Sequence, residues 1–368
     1  MKITLIANSS WYIFNFRSNL IKELVNAGHD VIVVAPLDEY SQRIRDMNVN
    51  LIQWNLNSSS LSLLTEPISL LKLLNIIKKI KTDFIFSFTP KANIYSGLSL
   101  LLFKNKINLL PNISGLGASK DFNGLLKKIL FSIYKLAFMH ANKIFFQNQD
   151  DLDIFLSHNI IKKSQAIRIP GSGVDLDHFS PKKFNNTKIF LYVGRLLYAK
   201  GLIQFINAAK FLKKTNKDIK ILVVGAPANN ANQGITKDKI NLLTEDSDID
   251  YLGVTDDIRS VLENIDLIVL PSFYGEGVPR SLLEAASMGI PIITTDHPGC
   301  RDTVDDNETG YLCIPKNEDS LISKMNNFLN LDIDKKIKMG KAARKKMENQ
   351  FSEQIVLEAY LGFIKKNF

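Results

Sequence analysis

The stretch Gly194-Arg195-Leu196-Leu197-Tyr198-Ala199-Lys200-Gly201 decides how this chain is read, together with Pro271-Ser272-Phe273-Tyr274-Gly275-Glu276-Gly277-Val278-Pro279-Arg280-Ser281-Leu282-Leu283-Glu284-Ala285 further on. Each follows a short apolar run that reads as a buried strand, and each leads into a helical pattern. The first places two fixed cations at a strand's carboxyl end, where the N-terminus of the next helix adds partial positive charge. Arg presents a planar fork and Lys a point charge. Together they suit an anionic diphosphate and can neutralise it without a divalent metal. The second stretch offers two carboxylates that straddle a helix start. Gly275, Gly277 and Pro279 shape a tight loop, and Pro279 suits a first helical turn. Glu276 falls in the loop, within reach of a sugar; Glu284 falls in the helix, placed to accept from ribose hydroxyls. A sugar carried on a nucleoside diphosphate needs these parts.

Outward from these motifs, strand and helix patterns alternate along the whole chain. Expected strands lie near 2–7, 31–35, 50–54, 83–88, 107–111, 143–147 and 166–169, with a second series near 188–193, 219–224, 249–252, 266–270, 291–294 and 310–313. Helical periodicity fills the intervals, the first helix being expected over 16–27 after a loop over 8–17. Alternation of this kind implies parallel sheets covered on both faces. The expected fold class is therefore α/β, with two Rossmann-like doubly wound domains facing a cleft. A length of 368 residues also favours two domains over one. Gly, Pro, Ser and Asp cluster over 170–181, followed by a polar run to 188, as in a linker. The expected domains are 1–180 and 181–350, with 351–368 as one more amphipathic helix. Ligands of doubly wound folds bind outside the carboxyl ends of the strands.

Composition narrows the classes. Hydrophobic residues make up 45% and charged residues 23%, ordinary for a soluble globular protein. Two cysteines, Cys300 and Cys313, supply neither a disulfide framework nor a paired metal motif, and fit a reducing compartment. Met1-Lys2-Ile3-Thr4-Leu5-Ile6 reads as a strand rather than a signal peptide. No stretch approaches the roughly 20 apolar residues of a membrane-spanning helix. Asp151/Asp153, Asp175/Asp177 and Asp248/Asp250 spell Asp-x-Asp, yet helix starts and loops produce such strings by chance, and the five histidines show no ligand spacing. No metal and no cofactor is expected. The first loop lacks Gly-x-Gly-x-x-Gly, which disfavours a dehydrogenase. The net charge of +9 is uneven: residues 1–180 hold 20 Lys and Arg against 13 Asp and Glu, and residues 181–368 hold 26 against 24. A cationic first half seeks phosphates. No basic–aromatic reading motif accompanies it, so nucleic acid is not expected as a partner.

The motifs Gly194-Arg195 with Lys200-Gly201, Glu276-Gly277-x-Pro279 with Glu284, and Pro298-Gly299-Cys300-Arg301 resemble those of the retaining glycosyltransferases of family 4, which have the B-type glycosyltransferase fold. The resemblance implies that Arg195 and Lys200 hold the donor diphosphate, that Glu276 lies near the transferred sugar and that Glu284 meets the ribose. It implies donor contacts from Gly194, Gly277, Val278 and Pro279, catalytic roles for Glu276, Arg195 and Lys200, and retention of configuration without a bound metal. A UDP-sugar is the implied donor, as substrate rather than cofactor. Asn15-Phe16-Arg17, Ala35-Pro36-Leu37-Asp38-Glu39-Tyr40, Gly115-Leu116-Gly117 and Ile133-Tyr134-Lys135-Leu136 resemble a narrower group, bacterial hexosaminyltransferases that extend sugars on undecaprenyl diphosphate. By that resemblance the acceptor is a polyprenyl-diphosphate-linked saccharide, and the last helix crosses back onto the first domain.

The expected acceptor residues stand at strand ends of the first half. Asn8-Ser9-Ser10-Trp11 through Arg17 offers hydroxyls, aromatics and a cation; aromatic faces stack on pyranose rings, although Trp11 and Phe14 as core, and Arg17 as an ordinary helix residue, read equally well. Lys91 opens a helix after another strand and suits an acceptor phosphate. Ser114, Gly115 and Gly117 follow a third strand, and the glycines allow close backbone approach. Many members of the family carry His or a carboxylate where Ser114 stands. Residues 124–140 and 69–81 are apolar with basic edges; they suit either packing on the sheet or an anionic membrane surface. The chain is thus expected to work in the cytoplasm, peripheral on the inner face of the membrane. Two alternatives use the same scaffold: a nucleotide-sugar epimerase, or a non-catalytic subunit of a transferase complex.

Overall fold

A computed structural model describes residues 1–56, 65–103, 107–117, 122–245 and 249–366. Contacts divide the chain into two units, Met1–Ser172 and Gly173–Phe368. In the first, β1 (Lys2–Ile6), β2 (Asp30–Ala35), β3 (Asn50–Gln53), β4 (Phe84–Phe88), β5 (Asn108–Ile113), β6 (Ile144–Phe146) and β7 (Ala166–Arg168) form one sheet in the order β3-β2-β1-β4-β5-β6-β7. In the second, β8 (Ile189–Val193), β9 (Lys220–Val224), β10 (Ile249–Tyr251), β11 (Leu267–Leu270), β12 (Ile292–Thr295) and β13 (Gly310–Cys313) pair in the order β10-β9-β8-β11-β12-β13. Every pairing is parallel, with Ile3 opposite both Val31 and Phe84, and Phe190 opposite both Ile221 and Leu267. Crossover connections, most of them helical, join the successive strands within each sheet, as parallel pairing requires.

The strand sequences explain the burial. Central strands of a parallel sheet are covered on both faces, so they read as continuous apolar runs rather than alternating ones. Phe84-Ile85-Phe86-Ser87-Phe88 is completely buried, as are Leu267, Ile268 and Val269. In each sheet the order reverses beside the first strand of the unit, at β1/β4 and at β8/β11. Such a reversal opens a crevice outside the carboxyl ends of the two strands.

The first helix differs from its expected span. It runs Ser10–Asn26, so the loop after β1 is short and most of the expected loop over 8–17 is helical. Capping is the reason. The Ser9 side chain accepts from the Tyr12 amide at 3.1 Å, and an Asp38 carboxylate oxygen accepts from the Trp11 amide at 2.8 Å. Two of the amides that a helix start leaves unsatisfied are thereby paired. Ile13, Arg17, Leu20, Ile21 and Leu24 then form the buried face.

Residues 173–181 pack with the second unit. The Val174 amide donates to the Phe351 carbonyl at 2.9 Å, and the Glu353 amide to the Val174 carbonyl at 3.0 Å. One Arg344 guanidinium nitrogen donates to the carbonyls of Leu176, Phe179 and Ser287 at 3.2, 2.9 and 2.9 Å. Phe179 is 3% exposed. The helix Glu353–Lys366 is grouped with the second unit by its contacts. Replacing Arg344 by Ala deprives these carbonyls of a charged donor; we expect Arg344→Ala to lower unfolding stability by roughly 2–3 kcal/mol. Urea unfolding followed by circular dichroism checks this, and an unchanged midpoint would remove Arg344 as the anchor of this segment.

Candidate active site

β8 ends at Val193, and the chain turns out at Gly194. The Gly194 amide donates to the Val224 carbonyl at 3.0 Å, and Gly225 lies directly against the Gly194 carbonyl. Arg195 follows and its side chain is exposed. The Leu196 amide returns to the Ala226 carbonyl at 2.9 Å, which leaves Arg195 at the tip of the turn. A short 3-10 turn, Tyr198–Lys200, then delivers Lys200 just before the helix Leu202–Lys213. Gly201 joins the two with φ +78°, backed against the Pro271 carbonyl. A Cβ there would collide with backbone, so this junction requires Gly.

The acidic stretch follows β11 and is tied to the cationic one by backbone. The Phe273 amide donates to the Ala199 carbonyl at 2.8 Å. Lys200 and Glu276 form an ion pair through Nζ and Oε1, their side chains 12% and 11% exposed. Ser272, fully buried, donates from Oγ to the same Glu276 oxygen at 3.0 Å and accepts from the Tyr274 amide at 3.2 Å. The Tyr274 ring lies beside both cations, 5.9 Å from the Arg195 guanidinium carbon and 5.8 Å from Lys200 Nζ. Arg195, Lys200 and Glu276 are thereby gathered at one end of the second sheet.

Gly277, Val278 and Pro279 lead into the helix Arg280–Ser287, capped at Pro279. Ser281 Oγ donates to the Val193 carbonyl at 3.3 Å, which sets the helix start against the end of β8. Glu284 lies one turn in. Its Oε1 accepts from Arg280 Nε at 2.8 Å, and its side chain is 13% exposed. Burial raises the Glu284 carboxyl above its ordinary value, opposed by the charges of Arg280 and His178. Burial likewise pushes the Cys300 thiol up to about 12, with the charge of Glu276 adding to it. Cys300 stays a thiol at neutral pH and acts as packing, not as a nucleophile. Tyr192, buried beneath the turn, is raised well above its ordinary value by burial and then by Glu276; its hydroxyl donates to the Arg195 carbonyl at 3.3 Å.

Sequence reasoning passed over three contributors. Ser272 and Tyr274 were quoted without a role, because nothing in a loop's spelling says which side chains turn inward. The Arg280–Glu284 pair was visible as an i,i+4 spacing. Among the described residues no cluster of His, Cys, Asp and Glu has the makings of a metal site.

The expected acceptor residues belong to the first unit. Ser9 caps the first helix, and Ser10 is fully buried, donating to the Pro36 carbonyl at 2.8 Å. Arg17 is 2% exposed, its guanidinium 4.4 Å from the Phe88 ring centroid and donating to the Tyr12 hydroxyl at 3.2 Å. Lys91 opens the helix Pro90–Leu100 and pairs with Glu66 at 2.7 Å; Tyr95 donates to the other Glu66 oxygen. Ser114 follows β5, with Gly115 and Gly117 at φ +96° and +57°. Ser9, Lys91 and Ser114 thus stand at the carboxyl ends of the adjacent strands β1, β4 and β5.

Comparison with known proteins places these units. Residues 2–148 match the family model described as Glycosyl transferase 4-like, and residues 174–346 the model described as Glycosyl transferases group 1. The chain is 28% identical to the N,N'-diacetylbacillosaminyl-diphospho-undecaprenol alpha-1,3-N-acetylgalactosaminyltransferase of Campylobacter jejuni, over 98% of this chain and 97% of that protein. A Rickettsia africae glycosyltransferase structure superposes with a TM-score of 0.79 at 21% identity, covering 99% of this chain and 98% of that one. Anabaena HepE in complex with UDP and glucose gives 0.79 at 16% identity, with both chains covered completely.

Gly299, at φ +78°, abuts the Gly277 carbonyl and so backs the loop that carries Glu276. A methyl group at 299 collides with that carbonyl, so Gly299→Ala is expected to cost about 1–3 kcal/mol of stability. Thermal unfolding checks this; a melting temperature equal to wild type would show that the loop yields freely.

Proposed function

The chain belongs to the glycosyltransferases, with the two-domain B-type fold, and on that footing we propose that it moves a hexose or N-acetylhexosamine from a UDP-sugar to a lipid-diphosphate-linked saccharide in cell-surface polysaccharide assembly, with retention of configuration. The epimerase and non-catalytic readings fall away on the same footing. The observation that carries the proposal is the convergence of Arg195, Lys200 and Glu276 around Tyr274. A diphosphate arriving at Lys200 competes with Glu276 for its charge and releases the carboxylate toward sugar hydroxyls.

In the proposed reaction the bond from sugar C1 to the UDP oxygen breaks, and a bond from C1 to an acceptor hydroxyl oxygen forms on the same face. The acceptor proton passes to the departing phosphate. Arg195 and Lys200 stabilise charge as it builds on the diphosphate, the role that preorganised cations fill best in a site shielded from water. The helix start after Gly277, Val278 and Pro279 adds partial positive charge, and Gly194 lets backbone approach the phosphates. Glu284 meets the ribose. No metal and no cofactor is needed. UDP as carrier is supported by the complex of the Anabaena neighbour, and a polyprenyl-diphosphate acceptor by the Campylobacter relative. Ser9, Ser10, Arg17, Lys91, Ser114, Gly115 and Gly117 form the acceptor side of the reading, Ser10 and Arg17 from within as supports.

Glu276→Gln and Lys200→Ala are each expected to lower transfer at least about a thousandfold while the circular dichroism spectrum is kept. Transfer near the wild-type rate in either variant would end the assignment. Full activity is expected in excess chelator, and strict dependence on added divalent cation would contradict the mechanism.

The same reading puts the enzyme on the cytoplasmic membrane face. Among the described residues no helix is long and apolar enough to cross a membrane. The helix Gly124–Ala137 instead exposes Leu125, Leu126, Ile129, Ile133 and Leu136, with Met139 just beyond, beside Lys127, Lys128 and Lys135. Leucines that enter the interface beside lysines that meet anionic headgroups make a peripheral anchor. The protein is expected to sediment with phosphatidylglycerol vesicles and to lose about tenfold in binding when Leu126→Asp and Ile129→Asp are combined. Equal binding of that double variant would place the anchor elsewhere.

A further inference from the structure

Trp11 is 45% exposed, with its backbone bonded at two points and its ring packed at a third. Its amide donates to Asp38 at 2.8 Å, and its carbonyl accepts from Asn15 Nδ2 at 2.9 Å. Its ring is buttressed edge-on by Phe16, at 5.5 Å between centroids and 75° between planes. Phe16 in turn packs on Tyr12, and Tyr12 on Phe88 at the end of β4. The indole stands in the first turn after β1, beside the strand-order reversal at β1/β4. That is where a doubly wound sheet receives its ligand.

We infer that Trp11 is the stacking platform for the acceptor saccharide. The inference rests on the transferase reading above and adds a specificity-determining residue to it. A pyranose presents a C–H face that an indole covers, while its hydroxyls need hydrogen-bonding neighbours. Asn8, Ser9, Asn15 and Asp38 stand beside Trp11 in the chain or in direct contact with it. An anionic membrane is a poor alternative here. Asp38 and the exposed Glu39 repel its headgroups, whereas the lysine-edged helix at 124–137 attracts them. Aromatic shape and a polar rim therefore select a sugar over a lipid chain. The indole N–H has no protein hydrogen bond among the described residues, so it is available to a sugar oxygen.

The test uses the full-length enzyme, a UDP-N-acetylhexosamine donor and a farnesyl-diphosphate-linked N-acetylhexosaminide as acceptor. Trp11→Ala and Trp11→Leu are each expected to raise the acceptor KM about tenfold, with the donor KM staying within about twofold. Trp11→Phe and Trp11→Tyr are expected to recover most of the loss. An unchanged acceptor KM in Trp11→Ala overturns the inference. So does recovery by Trp11→Leu, which would mark a merely greasy contact. A second readout does not need turnover. The chain holds two tryptophans, and Trp54 is fully buried with its indole N–H on the Ser69 carbonyl. In a Trp54→Phe variant, methyl N-acetylhexosaminide is expected to protect the remaining fluorescence from acrylamide, and UDP alone is not. Absence of protection by the methyl glycoside and by the lipid-linked acceptor also overturns the inference. If the wild type transfers no sugar at all, the functional reading fails, and the quenching result still decides the role of Trp11.

Discussion

The ion pair between Lys200 and Glu276 is the interaction on which the second unit's site depends. A lysine and a glutamate with little exposure are costly to bury singly and acceptable as a hydrogen-bonded pair. Ser272 completes the carboxylate's bonding from below, and the Phe273 amide locks the acidic loop to the cationic turn. Two motifs distant in sequence become one surface because β8 and β11 are neighbours at the reversal of strand order. Gly201, backed against Pro271, and Gly299, backed against Gly277, bring the backbones close enough for that contact. Removing either the cation or the carboxylate leaves its partner's charge poorly solvated.

The first unit solves a similar problem with different chemistry. Its own reversal, at β1/β4, is lined by the Ser9-capped start of the first helix, by aromatic contacts and by the Lys91–Glu66 ion pair. Arg17 is drawn inside, stacked on Phe88, and Lys91 is held by Glu66. The charges of that edge are thus largely committed to structure, while the indole of Trp11 is left outward.

Much of this was legible in the chain. Strands of a parallel sheet are apolar along their whole length, so runs such as Phe84–Phe88 and Leu267–Leu270 declare themselves without alternation. The motif residues Gly194, Arg195, Lys200, Glu276 and Glu284 stand at strand ends and a helix start, as their spelling implies. The first helix was harder, because Asn8-Ser9-Ser10 reads as loop until Ser9 is seen to cap. Burial of Arg17 was hidden for a different reason. A guanidinium is expected in water, whereas here the Phe88 ring, the Tyr12 hydroxyl and the Phe16 carbonyl receive it inside. The Lys200–Glu276 contact is tertiary and leaves no local signal; Ser272 and Tyr274 share that fate. The segment 173–181 reads as linker from its glycines, yet Arg344 from a remote helix fastens it to the second unit.

A structure of the protein with UDP tests the central claim most directly. The account predicts diphosphate oxygens roughly 2.7–3.2 Å from both Lys200 Nζ and the Arg195 guanidinium, with the ribose hydroxyls on Glu284. A diphosphate bound elsewhere, with Lys200 still paired to Glu276, would contradict it.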